Sequence, residues 1–245
     1  MNVLLLDDKD FVNDTTVRLS GRRVRHLTAV LKSSSGDILR VGRLGGQLGK
    51  GTVQELSGQS AELSVVLDQD PPDPLPLTLI LALPRPIVLN RMLAAVTTLG
   101  IKRLYLIHSH RVEKSYWCSP VLAPEKMDAQ CRLGLEQAVD TIMPVIEVRT
   151  RFKPFVEDEL PGLIQGTMPI VAHPGGETLN PGAIQGSAAL ILGPEGGFIP
   201  YELDHFRGLG MTFMTLGERV LKVETAVTAA VSVVGQALTK ASTKQ

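Results

Sequence analysis

The chain has no excess of either charge. Its 25 lysines and arginines balance 25 aspartates and glutamates. That argues against a protein that coats nucleic acid by charge alone, while leaving room for a local basic face. Cysteine is scarce. Cys118 and Cys131 are the only two, and no CxxC or Cys/His ligand spacing accompanies them. Neither a zinc site nor a disulfide framework is indicated, and no metal is expected. No apolar run is long enough to span a bilayer. The stretch from Met1 to Leu6 is apolar but meets Asp7 and Asp8 at once; it is too short for a signal-peptide core and has no basic leader. No membrane partner and a reduced, cytoplasmic setting are expected.

What is present suffices for a substantial core. Of the 245 residues 44% are hydrophobic and mean hydropathy is +0.13, so global disorder is excluded. The length holds one large domain or a small and a medium one. Proline marks the division. Pro71, Pro72, Pro74 and Pro76 fall within six residues, too dense for a helix interior or a central strand, and they predict a stiff extended linker over 71–76.

Residues 1–70 read as short strands around one helix. Val24, Leu27, Val30 and Leu31 give Gly21 to Lys32 a helical period. Ile38 to Val41, Gly51 to Leu56 and Ala61 to Leu67 read as strands, predicting a compact, barrel-like β module. Residues 77–245 alternate strand and helix. Strands are predicted at Leu77 to Leu83, Leu104 to Ile107, Val145 to Val148, Pro169 to Ala172, Ala188 to Leu192 and Met211 to Leu216. Helices are predicted at Ile87 to Leu99, Pro124 to Val139, Tyr201 to Gly208 and Val223 to Lys240, with a weak helix over Phe155 to Ile164 interrupted at Pro161. The alternation predicts a parallel sheet covered on both faces.

Four segments are candidates for chemistry. Gly193-Pro194-Glu195-Gly196-Gly197 follows an apolar strand and precedes Pro200, which suits a first helical turn. Its glycines let backbone approach a ligand closely. It is neither a P-loop nor a dinucleotide fingerprint. Leu216 to Ala226 carries Glu218, Arg219, Lys222 and Glu224 ahead of a helix of small apolar residues. That helix reads as buried, by core or by a partner chain. A third turn is predicted at His173-Pro174-Gly175-Gly176, after the strand ending at Ala172. Glycine turns after apolar strands are where open α/β sheets bind ligands, and the first two segments predict one shared pocket; for His173 a structural role is the plain alternative. The fourth segment, Arg18 to Lys50, holds eight cations against Asp37 alone, net +7, with His26 inside it. A solvated face is the plain alternative; phosphate contact is the functional one.

The two C-terminal motifs, Gly193-Pro194-Glu195-Gly196-Gly197 and Leu216-Gly217-x-Arg219-x-Leu221-Lys222-x-Glu224-Thr225-Ala226, resemble those of the ribosomal RNA small subunit methyltransferase E family. Arg25-His26-Leu27 through Lys32, Leu99-Gly100-Ile101, Arg111 and Glu136-Gln137-Ala138 also have counterparts. The resemblance implies an α/β fold, with a trefoil-knotted SPOUT methyltransferase domain preceded by a small PUA-like β-barrel. It implies a homodimer, S-adenosylmethionine as cofactor, and methylation of uridine N3 in 16S ribosomal RNA of the small subunit. The cofactor would meet Ala172, His173, Leu192, Gly193, Glu195, Gly196, Gly197, Leu216, Gly217, Val220, Leu221 and Thr225. Arg219 or Arg111 would stabilise the uridinate oxygens, and Glu195 or Glu224 would take the N3 proton. Arg22, Arg23, Arg25, His26 and Lys32 would face RNA. A protein that keeps this fold for RNA binding or assembly, with another RNA target or without turnover, is the alternative.

Overall fold

A computed structural model describes residues 2–180, 182 and 184–242, with side chains described as far as 239. Two compact units form. One gathers Met1–Asp73 with Arg132–Met143; the other gathers Pro74–Cys131 with Pro144–Gln245. The break after Asp73 falls inside the proline-dense stretch. The return of Arg132–Met143 to the first unit departs from the expected boundaries, which gave all of 77–245 to one domain.

The first unit is built on a six-stranded sheet. Its strands are β1 (Leu4–Leu6), β2 (Phe11–Asn13), β3 (Thr16–Ser20), β4 (Ile38–Arg43), β5 (Leu48–Leu56) and β6 (Ser60–Gln69), in the order β1-β4-β5-β6-β3-β2. All pairings are antiparallel except β1 with β4. Strands β4, β5 and β6 answer to the predicted ones, and β1 to β3 are additional to them. Alternation sorts the residues. Leu4, Leu6, Val17, Leu19, Val41, Val53, Leu63 and Val65 share one buried cluster with Val24 and Leu27, so the sheet curls around it. The opposite face of β1 explains the return of the chain: Val3, Leu5 and Leu48 pack with Leu135, Val139 and Met143.

The predicted helix over 21–32 is shorter and wider than its period suggested. A single turn, α1 (Arg22–Arg25), passes into a π-helical turn over His26–Val30, in which Leu31 N–H donates to the His26 carbonyl at 3.0 Å.

The second unit carries β7 (Leu77–Ala82), α2 (Pro86–Thr98), β8 (Arg103–Ile107), the start of α3 (Pro124–Ala138), β9 (Val145–Arg149), α4 (Phe152–Pro154), α5 (Leu160–Ile164), β10 (Met168–Glu177), β11 (Ala188–Leu192), α6 (Pro200–Gly208), β12 (Thr212–Met214) and α7 (Val223–Ser242). Pro161 does not interrupt the helical segment: a π-helical turn over Phe155–Glu159 runs directly into α5, and Pro161 stands in the first turn of α5. The sheet order is β12-β10-β11-β7-β8-β9, and every pairing is parallel. Leu79, Ile80, Leu81 and Ala82 are all buried, as a strand covered on both faces requires. Val223, Val227, Ala230, Val231, Val234 and Ala237 bury one side of α7.

Candidate active site

Register creates the site. Ala172 on β10 pairs with Leu192 on β11 and with Met214 on β12. β11 and β12 therefore end level with Ala172, on either side of β10, and the segments beyond them open beside the point where β10 leaves its regular register. Leu192 in turn pairs with Leu81, and Ala82 with Ile107, so the loops after β7 and β8 emerge at the same edge.

A cavity of about 300 Å³ lies among these ends. Its walls include Ala172, His173, Leu192, Gly193, Glu195, Gly196, Gly197, Leu216, Gly217, Arg219, Val220 and Leu221, with Phe198, Val223 and Ala226 adding apolar surface. Three of the residues singled out from sequence, Arg111, Glu224 and Thr225, are not among its walls. Thr225 is exposed, and Glu224 is half-buried at the start of α7.

The His173–Gly176 segment is not a free turn after the strand. It is a bulge inside β10: pairing with Met214 is made at Ala172 and again at Glu177. Glycine is required at 176 because a Cβ there would lie 2.6 Å from the main-chain carbons of Phe213 and Met214. His173 Nδ1 accepts from Gly175 N–H at 3.0 Å. Burial, and secondarily Arg207, holds its imidazole below the usual range.

The glycine turn after β11 is tied at three points. Gly197 N–H donates to the Pro194 carbonyl at 2.8 Å. Glu195 Oε1 accepts from the main-chain N–H of Arg85 at 3.0 Å. Arg111 donates to the Gly196 carbonyl. Arg111, anticipated as a catalytic cation, thus has a main-chain acceptor in the turn. Arg219, by contrast, lines the cavity with no ion pair among the described residues.

The loop after β8 was singled out only at Arg111. Trp117 Nε1–H donates to His108 Nδ1 at 3.0 Å, and burial lowers the His108 pKa, partly countered by Glu202. Glu202 itself escaped notice. Its signal was a carboxylate two residues after Pro200, where helix starts favour acid.

In the first unit, charges far apart in sequence meet. Arg23 grips Asp10 with two bonds, 2.5 and 2.6 Å, and donates to the Leu5 carbonyl at 3.0 Å; its side chain is only 13% exposed. It is committed to the fold and leaves the anticipated RNA-facing set. Arg22 pairs with Glu136, Arg43 with Asp8 and Arg18 with Glu62. The acids outside the basic stretch therefore fold back onto it. His26 is half-buried, and its Nε2 has no hydrogen-bond partner. Arg25, Lys32, Arg40 and Lys50 are exposed and make no ion pair among the described residues. Arg40 and Lys50 face one another directly across β4 and β5.

Among the described residues no group of three or more His, Cys, Asp or Glu is placed to hold a metal ion, and no helix is long and apolar enough to cross a membrane.

Residues 71–235 match the profile of the RNA methyltransferase domain, which defines the class. A protein of Treponema pallidum named ribosomal RNA small subunit methyltransferase E is 32% identical over 245 residues, covering 96% of this chain and 90% of that one. A protein of the same name from Synechocystis is 26% identical, covering 89% and 72%. The chain belongs to the ribosomal RNA small subunit methyltransferase E family. Its fold matches a crystal structure of the Neisseria gonorrhoeae protein of that name bound to S-adenosyl methionine, with TM-score 0.73, 20% identity, and 97% and 98% coverage.

Proposed function

We propose that the cavity beyond β10, β11 and β12 binds S-adenosylmethionine, and that the protein methylates N3 of a uridine in 16S ribosomal RNA. The level ending of β11 and β12 on either side of the bulge in β10 carries this reading. It sets exposed backbone of two glycine turns and one cationic side chain around a single apolar-walled space. Such a lining suits a ligand with a flat base and a short polar tail: Leu192, Phe198, Leu221 and Val223 supply apolar contact, and turn main chain supplies hydrogen bonds. The names of the relatives and the ligand of the Neisseria structure support the same choice.

When bound, S-adenosylmethionine supplies an activated methyl group. This chain's residues prepare the acceptor. Uridine N3 carries a proton at neutral pH, so the site must remove it and stabilise the negative charge left on the ring. Glu195 is the carboxylate in the cavity wall, and it is assigned the proton, directly or through water. One of its oxygens is held by Arg85 N–H, which fixes its orientation. Arg219 is assigned the charge developing on the uridine oxygens. Holding nitrogen, methyl carbon and sulfur in line supplies much of the remaining acceleration.

RNA contact is assigned to Arg25, Lys32, Arg40 and Lys50. Like charges directly opposite on paired strands are unfavourable by themselves, and a phosphate near Arg40 and Lys50 would relieve the repulsion. The trefoil threading, the PUA-like character of the first unit, a cytoplasmic site of action and a homodimer belong to the same proposal. For the dimer, the support is Val220, 96% exposed in the cavity wall, where a second chain would cover it.

Mass mapping of 16S ribosomal RNA from a deletion strain, with and without complementation, tests the substrate. Loss and return of one N3-methyluridine is expected. An unchanged signal, with S-adenosylhomocysteine still bound by the purified protein, would favour an RNA-binding role without this turnover.

A further inference from the structure

Glu202 lies in the first turn of α6 and is 2% exposed. Its two oxygens do different work. Oε2 accepts from Ile199 N–H at 2.9 Å, which caps its own helix. Oε1 accepts from His110 N–H at 2.7 Å, 92 residues away in sequence. No lysine or arginine pairs with this carboxylate among the described residues. Taking it out of water is costly, and a helix cap alone needs one oxygen.

The second bond has a consequence one residue on. Arg111 follows His110, donates to the Gly196 carbonyl and lays its stem against that glycine: a Cβ at 196 would fall 2.9 Å from Arg111 Cδ. The loop itself is tightened by Val112 N–H donating to the Ser109 carbonyl at 3.0 Å. So the loop after β8 meets the segment after β11 twice, once at Glu202 and once at Gly196.

We propose that Glu202 is a positioning residue for the methyl-donor turn, acting through His110 and Arg111 on Gly196. The inference rests on the reading of the cavity as the S-adenosylmethionine site. Glu202 does not touch the ligand; it sets where Arg111 meets the turn and hence the shape of the turn that does.

The test is a double-mutant cycle on S-adenosylhomocysteine affinity, with hydrogen exchange on the ligand-free proteins. Glu202→Gln keeps size but turns an NH₂ toward one of two main-chain donors, so one bond is lost. Arg111→Ala removes an exposed side chain without threatening the fold. Each is expected to weaken binding by about tenfold, and the double variant by about tenfold rather than a hundredfold, because residues acting in series do not add. A hundredfold loss in the double variant would overturn the proposal. In the ligand-free Glu202→Gln protein, amide exchange should rise together in 108–113 and 193–199. In Arg111→Ala it should rise in 193–199. A rise confined to 199–206 in Glu202→Gln would make the carboxylate a helix cap only. Wild-type protein that takes up no S-adenosylhomocysteine would sink the cofactor reading; the exchange data would still decide whether Glu202 couples the two loops.

Discussion

Arg111 spans from the loop after β8 to the carbonyl of Gly196, and its stem occupies the space a side chain at 196 would need. Gly196 lies outside the left-handed backbone region, so alanine there is admitted by the main chain and collides only with a flexible stem. Gly196→Ala should therefore leave stability within about 0.5 kcal/mol while weakening S-adenosylhomocysteine binding. Gly176→Ala should do the opposite. Its Cβ meets main chain of β12, and overpacking of that kind costs about 1–3 kcal/mol. Thermal melts and calorimetric titration of both variants separate the two effects.

Arg23 and Arg25, two residues apart, are expected to differ in kind. Arg23→Ala leaves the Asp10 carboxylate, 5% exposed, without its cation. Removing one partner of a buried pair costs about 3–5 kcal/mol, so denaturant melts should show a large loss confined to the first unit. Arg25→Ala should leave the melt unchanged and weaken RNA association.

Charge reversal at Arg40 and Lys50 should lower affinity for 16S ribosomal RNA and flatten its dependence on salt, since fewer phosphates would be neutralised. Binding measured across a salt series checks the slope. An unaltered slope would make this pair ordinary solvated surface.

The indole of Trp117 reports on the loop after β8. It donates to His108 Nδ1, which must be unprotonated to accept. Burial holds the folded-state pKa of His108 below the ordinary value of 6.5, and His173 moves the same way. Between the folded and unfolded values the unfolded chain binds more protons, so stability rises with pH there. The contribution is whole above about 6.5 and is lost as pH falls through the folded value. Trp117 is the only tryptophan. Its emission should drop on acidification with a midpoint below that of free histidine; a midpoint above it would contradict the assignment.

Arg219→Ala should reduce turnover by about 10²–10³, the usual cost of one donor to a developing anion, while S-adenosylhomocysteine affinity changes less. Single-turnover kinetics beside calorimetry distinguish this from a loss of fold.

The parts of the site legible in sequence were those encoded by contiguous residues. Ala188 to Leu192 followed by a glycine turn, and Met211 onward followed by a charged loop, each announce a strand end facing a ligand. The family motifs lie on the same two segments, Gly193–Gly197 and Leu216–Ala226. The bracing was not legible. Glu202 and His110 meet across 92 residues, and no local pattern marks a main-chain N–H as the partner of a distant carboxylate. Charge segregation in the first unit misled for a related reason: Arg23 and Asp10 lie in different stretches but share one buried contact. Strand β3 was missed although Val17 and Leu19 alternate with exposed Arg18 and Ser20. Five residues are a weak signal until β6 pairs with them. The second half of α3 kept its helical period but not its expected unit, because period says which face is apolar and not what it packs against.

The most direct measurement is a crystal structure of the protein with S-adenosylhomocysteine bound. It should place the ligand against residues 192–198 and 216–223, with Arg219 facing the open side where a uridine would enter. A ligand seated elsewhere, or a cavity that stays closed at saturating concentration, would contradict that assignment.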